Sequence, residues 1–145
     1  MPAIRPIALA VPRRGDDLLV FEYHDPTKGR TFYRPLGGGI EFGETAEAAV
    51  RRELHEELGV DLLAVRRLGV LENIFHAFGG DGHEIAFIFD CQLADRTLYE
   101  RDLVGEILDD PGTKVMWRSL NRFQAGNPLY PDGLADLLRQ RPANT

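Results

Sequence analysis

Hydrophobic and polar residues alternate along much of this chain in short blocks, the pattern expected of β-strands separated by turns. These blocks predict strands over residues 4–11, 18–23, 31–36, 65–78, 83–93 and 115–120. The block at 65–78 is long enough for one bent strand or for two. A closing helix is predicted over residues 133–141, because Pro131-Asp132 forms a suitable start signal.

The block at residues 83–93 predicts a strand clearly, whereas the acidic span at residues 96–112 is compatible with two structures. The strand at 83–93 alternates cleanly and places one set of side chains on a single face: Ile85, Phe87, Phe89, Cys91 and Leu93. Cys91 is therefore predicted to pack in the core. The acidic span 96–112 predicts either a mobile loop or a short helix around residues 103–108.

A helix over Thr45–Leu58 carries an unusual pattern of carboxylates. Thr45 is a suitable N-cap, and Gly59 suits the left-handed position after the last turn. At about 100° per residue, the stripe that begins with Ala46, Ala49 and Val50 continues into glutamates, and two leucines lie at its side. The residues that extend the stripe are Glu53 and Glu57, flanked by Leu54 and Leu58.

Glu53, Glu56 and Glu57 stand at i, i+3 and i+4 on this helix and so converge in space. Like charges this close either raise a pKa or recruit a cation. An all-oxygen set suits a hard divalent ion, above all Mg²⁺. The alternative is a solvated acidic face, but two of the glutamates continue the apolar stripe. We therefore predict a metal site, with Arg52 orienting a carboxylate or pairing with Glu44 across the turn.

A glycine-rich loop precedes the helix, with Gly37, Gly38 and Gly39 in a row and Gly43 just beyond. Glycine lets the main chain approach a ligand closely, although an ordinary tight loop has the same composition. The loop is not of the Walker type, because no Gly-Lys-Ser/Thr follows it.

The order of these residues resembles a complete Nudix box over residues 38–60. Gly38, Glu44, Arg52-Glu53-Leu54, Glu56-Glu57 and Gly59-Val60 all stand at the spacing of that family motif. The one departure lies at the entry: many members read Leu-Pro-Gly-Gly, whereas this chain reads Arg34-Pro35-Leu36-Gly37-Gly38. The metal positions are unaffected.

The resemblance implies an α/β fold, a mixed sheet sandwiched between helices, and hydrolysis of a nucleoside diphosphate linked to another moiety. It implies catalytic roles for Arg52, Glu53, Glu56 and Glu57. It also implies that Mg²⁺ or Mn²⁺ is held by these three glutamates and the Gly38 carbonyl. Glu44 would support the site and Gly59 would be structural.

Length, composition and charge narrow the class of protein. The 145 residues fit one domain over residues 1–145. We expect no membrane span and no secretion signal, and the single Cys91 suits a cytoplasmic protein. A net charge of −6 argues against a nucleic-acid partner. A divalent ion would still allow a phosphorylated small-molecule substrate. The sequence does not distinguish between a monomer and a homodimer.

The mechanism expected is attack of water at phosphorus, with a carboxylate taking the proton. Glu53 is the first choice of base within the helix. Outside the helix, the candidates for the base are Glu84, Glu100 and Glu106. The alternative for each of them is a carboxylate on the surface without a catalytic role.

Residues that contact substrate are expected among the aromatic and basic side chains near the box. Arg34, Tyr33 and Phe75 are the predicted substrate-binding residues, with Phe78 and Trp117 also available. The alternative for each of these aromatic residues is that it packs in the core.

Sub-signatures downstream of the box bear on substrate choice. Phe75 stands where many ADP-ribose hydrolases carry proline, and His76, Ala77 and Phe78 stand where diadenosine polyphosphate hydrolases tend to have tyrosine. The longer motifs of NADH and coenzyme A pyrophosphatases have no counterpart. By elimination, the expected substrate is a nucleoside triphosphate, modified or not. The alternatives are a nucleotide sugar, ADP-ribose or dinucleoside polyphosphate, or a non-catalytic sensing module.

Overall fold

The computed structural model of the chain describes residues 2–123 and 128–140. Within these residues the strands are β1 Arg5–Ala10, β2 Arg13–Arg14, β3 Asp17–Asp25, β4 Arg30–Arg34, β5 Gly37–Gly39, β6 Leu62–Ala77, β7 Gly80–Leu93, β8 Leu103–Ile107 and β9 Asp110–Ser119. The helices are α1 Ala46–Leu58 and α2 Leu134–Gln140, with short 3-10 turns at Arg96–Glu100 and Leu120–Arg122. None of the helices in the described parts is long and apolar enough to cross a membrane.

The strands form two sheets, and the first of them carries the glycine loop. Its order is β5-β1-β7-β6. Strand β1 runs parallel to β7 and antiparallel to β5, so that Ala8 faces Phe87 on one side and Gly38 on the other. In the second sheet β3 pairs with β9 on one edge and with β2 and β4 on the other, and β8 extends it beyond β9. The mixed α/β architecture predicted from the sequence is confirmed.

The core lies on both faces of β1, because alternate side chains of this strand point in opposite directions. Ala8 and Ala10 belong to the cluster that α1 covers with Val50 and Leu54. On the other face a second cluster is closed by α2, and its members include Ile7, Leu9, Val11, Leu134 and Leu138. The central strand is therefore buried on both sides, which fixes the position of β5 and its glycines.

Two sequence-based predictions are corrected here. The proposed loop or helix around residues 103–108 is wrong, because Leu103–Ile107 forms strand β8 and pairs with β9. Local propensity gave no signal for this strand, since its conformation depends on a partner further along the chain. Strand β7 is also not buried on one face alone: Ala86 and Ile88 are buried as well, in the second core cluster.

Other predictions are confirmed with small shifts. The segment predicted as one bent strand or two is one strand, β6, with register shifts between Leu63 and Arg66 and between Arg67 and Gly69. Cys91 is buried in the core. The closing helix covers Leu134–Gln140, and residue 141 of the predicted range lies outside the described residues.

Candidate functional site

Helix α1 begins and ends where its capping residues require. The Thr45 side chain accepts a hydrogen bond from the Ala48 amide at 3.1 Å, which satisfies one of the unpaired donors of the first turn. At the other end Gly59 adopts φ +66°, and its amide donates to the His55 carbonyl at 2.8 Å. Both predicted caps are confirmed. The helix is fixed to the sheet by Val50 and Leu54, which are fully buried.

The glycine loop lies directly against this helix. Gly37 has φ +145°, and a Cβ atom there would overlap the Ala8 carbonyl oxygen, so only glycine fits. At Gly38 an added Cβ would lie 2.6–2.7 Å from the carboxyl atoms of Glu53. The Glu53 carboxylate therefore occupies the space beside the main chain of Gly38. The predicted metal site needs these two groups close together.

Arg52 connects the loop to three glutamates. Its guanidinium binds Glu44 through two hydrogen bonds, of 2.8 Å from Nε and 2.9 Å from Nη2, and Nη2 also donates to the Gly39 carbonyl at 3.0 Å. Nη1 donates to Glu53 at 2.9 Å and to Glu56 at 3.3 Å. The hydrogen bonds from Arg52 lower the pKa of Glu44 to about 2. Arg52 is thus a positioning residue for the loop and for Glu53.

Glu57 is the buried member of the carboxylate group, with 8% of its surface exposed. Its Oε1 accepts the Gly37 amide at 2.9 Å, which fixes the side chain under the glycine loop. Burial and the charge of Glu53 together raise its pKa to about 8, while the Gly37 hydrogen bond and Arg34 oppose that shift. A carboxylate held in this environment is stabilised as an anion only if a positive charge lies close by.

The residues present fit a hard divalent cation. The donors are all oxygens, two of the carboxylates repel one another, and the Gly38 main chain approaches Glu53 closely. Over residues 2–123 and 128–140 no three acidic, histidine or cysteine side chains are already arranged as a chelate. The reason is visible in the contacts: Nη1 of Arg52 binds both Glu53 and Glu56, and Glu57 binds the Gly37 amide.

A cavity of about 150 Å³ is lined by residues that include Arg34, whose charge acts on Glu57 of the carboxylate group. Its lining combines aromatic with charged and amide side chains. The aromatic residues are Tyr23, Phe32, Phe75, Phe78 and Tyr130, and the charged and amide residues are Asp25, Lys28, Arg30, Arg34, Glu84 and Asn73. The aromatic rings pack edge to face, with Phe32 and Phe78 at 5.9 Å between centroids and Phe32 and Tyr130 at 5.5 Å. An apolar cavity with a few polar groups is the usual form of a small-molecule site.

Arg34 joins the cavity to the box. Its Nη1 lies 3.9 Å from Glu84 Oε2, and its guanidinium lies over the Phe21 ring at 5.8 Å. The buried Nε has no hydrogen-bond partner. Because the charge of Arg34 also opposes the rise in the pKa of Glu57, it acts on both the cavity and the carboxylate group.

The remaining predicted residues fall in different places. Phe75 lines the cavity, whereas Tyr33 lies on the opposite face of β4, where its hydroxyl donates to Glu22 at 3.0 Å. Trp117 is buried and stacks on Tyr99. Phe78 lines the cavity although 54% of its surface is exposed.

The candidate bases outside the helix also separate. Glu84 is 5% exposed and lines the cavity, so the alternative of a surface carboxylate is wrong for this residue. Glu100 and Glu106 are exposed and do not line it.

Several cavity residues were not predicted from the sequence. Phe32 stands two residues before the predicted Arg34 on β4, and Asn73 stands two residues before the predicted Phe75 on β6. The period of a strand therefore offered a signal for Phe32 and Asn73. Asn73 is 3% exposed, and its side-chain oxygen accepts the Asp132 amide at 3.4 Å. Tyr130 gave no local signal, because a contact distant in sequence brings it to the cavity: its amide donates to the Tyr33 carbonyl at 2.8 Å.

A helix of acidic residues facing a glycine loop on a mixed sheet defines the Nudix class of protein. Residues 3–132 match the sequence profile of the family described as NUDIX domain. The chain belongs to this family.

Individual relatives agree with that placement. The NAD-capped RNA hydrolase NudC of Haemophilus influenzae is 30% identical over 105 residues, which are 70% of this chain and 38% of that protein. The low-salt glycan biosynthesis protein Agl8 of Haloferax volcanii is 32% identical over 96 residues, 63% of this chain and 60% of that protein. The chain thus matches 38% of the length of the Haemophilus influenzae NudC protein.

Solved structures share the fold. A MutT NUDIX hydrolase from Burkholderia pseudomallei superimposes with a TM-score of 0.67 at 24% identity, covering 97% of this chain and 99% of that chain. The E. coli ORF135 protein gives a TM-score of 0.58 at 21% identity, with 99% and 96% covered.

Proposed function

We propose that this protein, a single Nudix domain, is a metal-dependent hydrolase that cleaves a phosphoric anhydride bond in a nucleoside diphosphate linked to another moiety. The observation that carries the proposal is that the Glu53 carboxylate occupies the space that a Cβ atom on Gly38 would fill, beside the buried carboxylate of Glu57. Carboxylates crowded in this way against a glycine loop suit a cation and the phosphate oxygens it binds.

Glu53, Glu56, Glu57 and the Gly38 carbonyl are the residues that would hold Mg²⁺ or Mn²⁺. When bound, the ion supplies charge neutralisation at the phosphate oxygens and acidifies water. The side chains nearest the loop are already restrained, since Glu53 is hydrogen-bonded to Arg52 and Glu57 to the Gly37 amide.

In the reaction a water oxygen forms a bond to phosphorus while the bridging P–O bond breaks. The bonding electron pair goes to the departing phosphate oxygen, and the water proton goes to a carboxylate, for which Glu53 is the proposed acceptor. Arg52 orients Glu53 through the 2.9 Å hydrogen bond and keeps the loop in place through Gly39. Preorganised groups of this kind lower the barrier without rearrangement during the reaction.

The proposed substrate is a nucleoside triphosphate, modified or not. The base would enter the aromatic cavity, which is smaller than the roughly 300–1,000 Å³ of sites that enclose whole ligands and so suits one ring system. Arg34 lines that cavity and acts electrostatically on Glu57 of the box, so its positive charge would attract the phosphates. This arrangement would direct the phosphates toward Glu53.

A dinucleotide with an internal pyrophosphate is the second candidate, because NudC relatives at 30% identity are described as NAD-capped RNA hydrolases. The net charge of −6 disfavours a long RNA partner but not the dinucleotide itself. A sensing module without turnover is the remaining alternative.

Chromatographic separation of the products, together with release of phosphate and pyrophosphate, tests these candidates. Both readouts are needed because cleavage of ADP-ribose, a nucleotide sugar or NAD yields two phosphomonoesters and no free phosphate or pyrophosphate. The panel contains nucleoside triphosphates, oxidised triphosphates, ADP-ribose, nucleotide sugars, dinucleoside polyphosphates, NAD and NAD-capped RNA, each with Mg²⁺, Mn²⁺ or EDTA. We expect metal-dependent cleavage of one class.

Variants on helix α1 test the assignment of the carboxylates. Glu56→Gln should lose most turnover, because a proposed metal ligand is removed from an exposed position where the fold does not depend on it. Glu47→Gln on the same helix is the matched control and should retain full activity. Equal turnover in both variants would reject the metal assignment.

A further inference from the structure

A second cavity, of about 440 Å³, lies at the other end of the first sheet. It is formed where β2, the start of β6, the end of β7 and the turn at Arg96–Glu100 meet. Its lining comprises Arg13, Gly15, Ala64, Arg66, Asp90, Cys91, Gln92, Leu93, Arg96 and Tyr99. No residue of the Nudix box contributes to this lining. Its volume falls within the range of sites that bind small molecules.

The cavity is basic although the chain carries a net charge of −6. Arg13, Arg66 and Arg96 line it, against a single acid, Asp90. Arg66 and Asp90 form an ion pair at 3.2 Å. That pair leaves the charges of Arg13 and Arg96 in excess around the cavity, which favours an anionic ligand.

Hydrogen-bond donors in this lining lack acceptors. Nε and Nη1 of Arg13 are buried and have no partner. Burial lowers the pKa of Arg13, against the opposing effect of the Asp16 and Asp90 charges. The Tyr99 hydroxyl accepts the Leu93 amide at 2.8 Å, so its own proton is available to donate. Because the charge of a guanidinium is delocalised over all its nitrogens, an anion bound in the cavity would compensate the charge of Arg13, and the Tyr99 hydroxyl can donate to it.

The backbone at the rim of the cavity is irregular. Ala64 adopts φ +53°, a conformation that L-residues other than asparagine and aspartate seldom adopt. The register of β6 against β7 shifts between Leu63 and Arg66, on either side of Ala64. Strained residues and β-bulges concentrate at functional sites, where they direct side chains away from regular positions.

We propose that this cavity is a second binding site, for a small molecule that carries a phosphate group. Guanidinium groups match the geometry of phosphate through paired hydrogen bonds, and two of them with a tyrosine hydroxyl form a suitable set of donors. The site is distinct from the hydrolytic centre: Glu84 of the first cavity and Gln92 of the second are eight residues apart on β7, about 26 Å at the rise of an extended strand.

Titration of the full-length ¹⁵N-labelled protein locates the ligand. Inorganic phosphate and AMP are the probes, and EDTA is present throughout so that metal-assisted binding at the box is suppressed. We expect amide shifts at Ala64, Gln92 and Tyr99 that saturate with ligand, while Gly37 and Gly38 move little. Saturation by inorganic phosphate would define an ion site. Saturation by AMP at lower concentration would define a site for a phosphorylated metabolite.

Variants separate this cavity from other basic surfaces. Arg13→Gln should weaken binding at least tenfold, and Arg101→Gln, an exposed arginine outside the lining, should leave it unchanged. Hydrolysis without added phosphate should be the same in both. The proposal would be overturned by shifts confined to residues 37–57, by equal affinity of the two variants, or by no saturable shift in wild-type protein at 10 mM of either probe, a concentration about tenfold above a Kd of 1 mM.

Discussion

Replacement of Glu57 by glutamine should stabilise the metal-free protein while abolishing hydrolysis. The side chain is 8% exposed, and its Oε1 accepts the Gly37 amide. A glutamine oxygen can accept the same hydrogen bond, so the glycine loop keeps its anchor. What disappears is the negative charge, which burial and Glu53 make unfavourable.

The magnitude follows from proton linkage. The pKa of Glu57 rises from 4.5 to about 8 on folding, so between these values the unfolded chain is ionised and the folded chain is protonated. The contribution of Glu57 to stability is therefore greatest below pH 4.5 and falls as pH rises toward 8, by about 1.4 kcal/mol per pH unit. At pH 7 the accumulated destabilisation is on the order of 3 kcal/mol, and glutamine is free of it.

Urea unfolding in EDTA at pH 5, 6, 7 and 8 measures this effect. The difference in free energy of unfolding between Glu57→Gln and wild type should grow with pH. Glu56→Gln is the matched control, because this carboxylate is about half exposed and its replacement should change stability little. A Glu57→Gln variant less stable than wild type at pH 7, or a difference independent of pH, would refute the reasoning.

Three further changes test other parts of the structure. Gly38→Ala should fold, since the clash is with the movable Glu53 carboxylate, but should lower kcat by about 10²-fold, as expected for a misplaced catalytic group; an unchanged kcat in a steady-state assay would contradict this. Leu138→Ala should reduce the free energy of unfolding by about 2–5 kcal/mol in urea, because α2 closes the second core cluster through this buried residue; a loss below 1 kcal/mol would mean that the helix contributes little. Asp25 accepts hydrogen bonds from Thr27 and Phe78, which lower its pKa to about 2. The Tm advantage of wild type over Asp25→Asn should hold above pH 4 and shrink as pH falls toward 2, and a constant difference in calorimetry would contradict that.

The box helix could be predicted from the sequence because its determinants are local. Its caps, Thr45 and Gly59, act within one turn of the helix ends, and its buried stripe follows the period of 3.6 residues. Strand β8 could not be predicted in the same way. Its residues alternate weakly, and only pairing with β9 makes them a strand.

The same distinction separates the two halves of the candidate site. The spacing of the glutamates is set within one helix of 13 residues, so it can be read from a short stretch of sequence. The cavity is formed by residues of β3, β4, β6, β7 and the segment at Tyr130, which are far apart in sequence. Glu84 illustrates the consequence: its strand alternation suggested a solvent-facing side chain, but β7 is covered on both faces. Burial on both faces depends on which elements pack above and below the sheet, and this cannot be predicted from the sequence of one strand.

Both candidate sites lie where the first sheet departs from regularity. At one end β5 is a strand of three glycines, and their missing side chains make room for Glu53 and for close contact with β1. At the other end a register shift and the left-handed Ala64 open β6 beside Arg13. Strand β7 connects the two ends, with Glu84 lining one cavity and Gln92 the other. A regular sheet would have closed both spaces with side chains, so the irregularities themselves provide room for ligands.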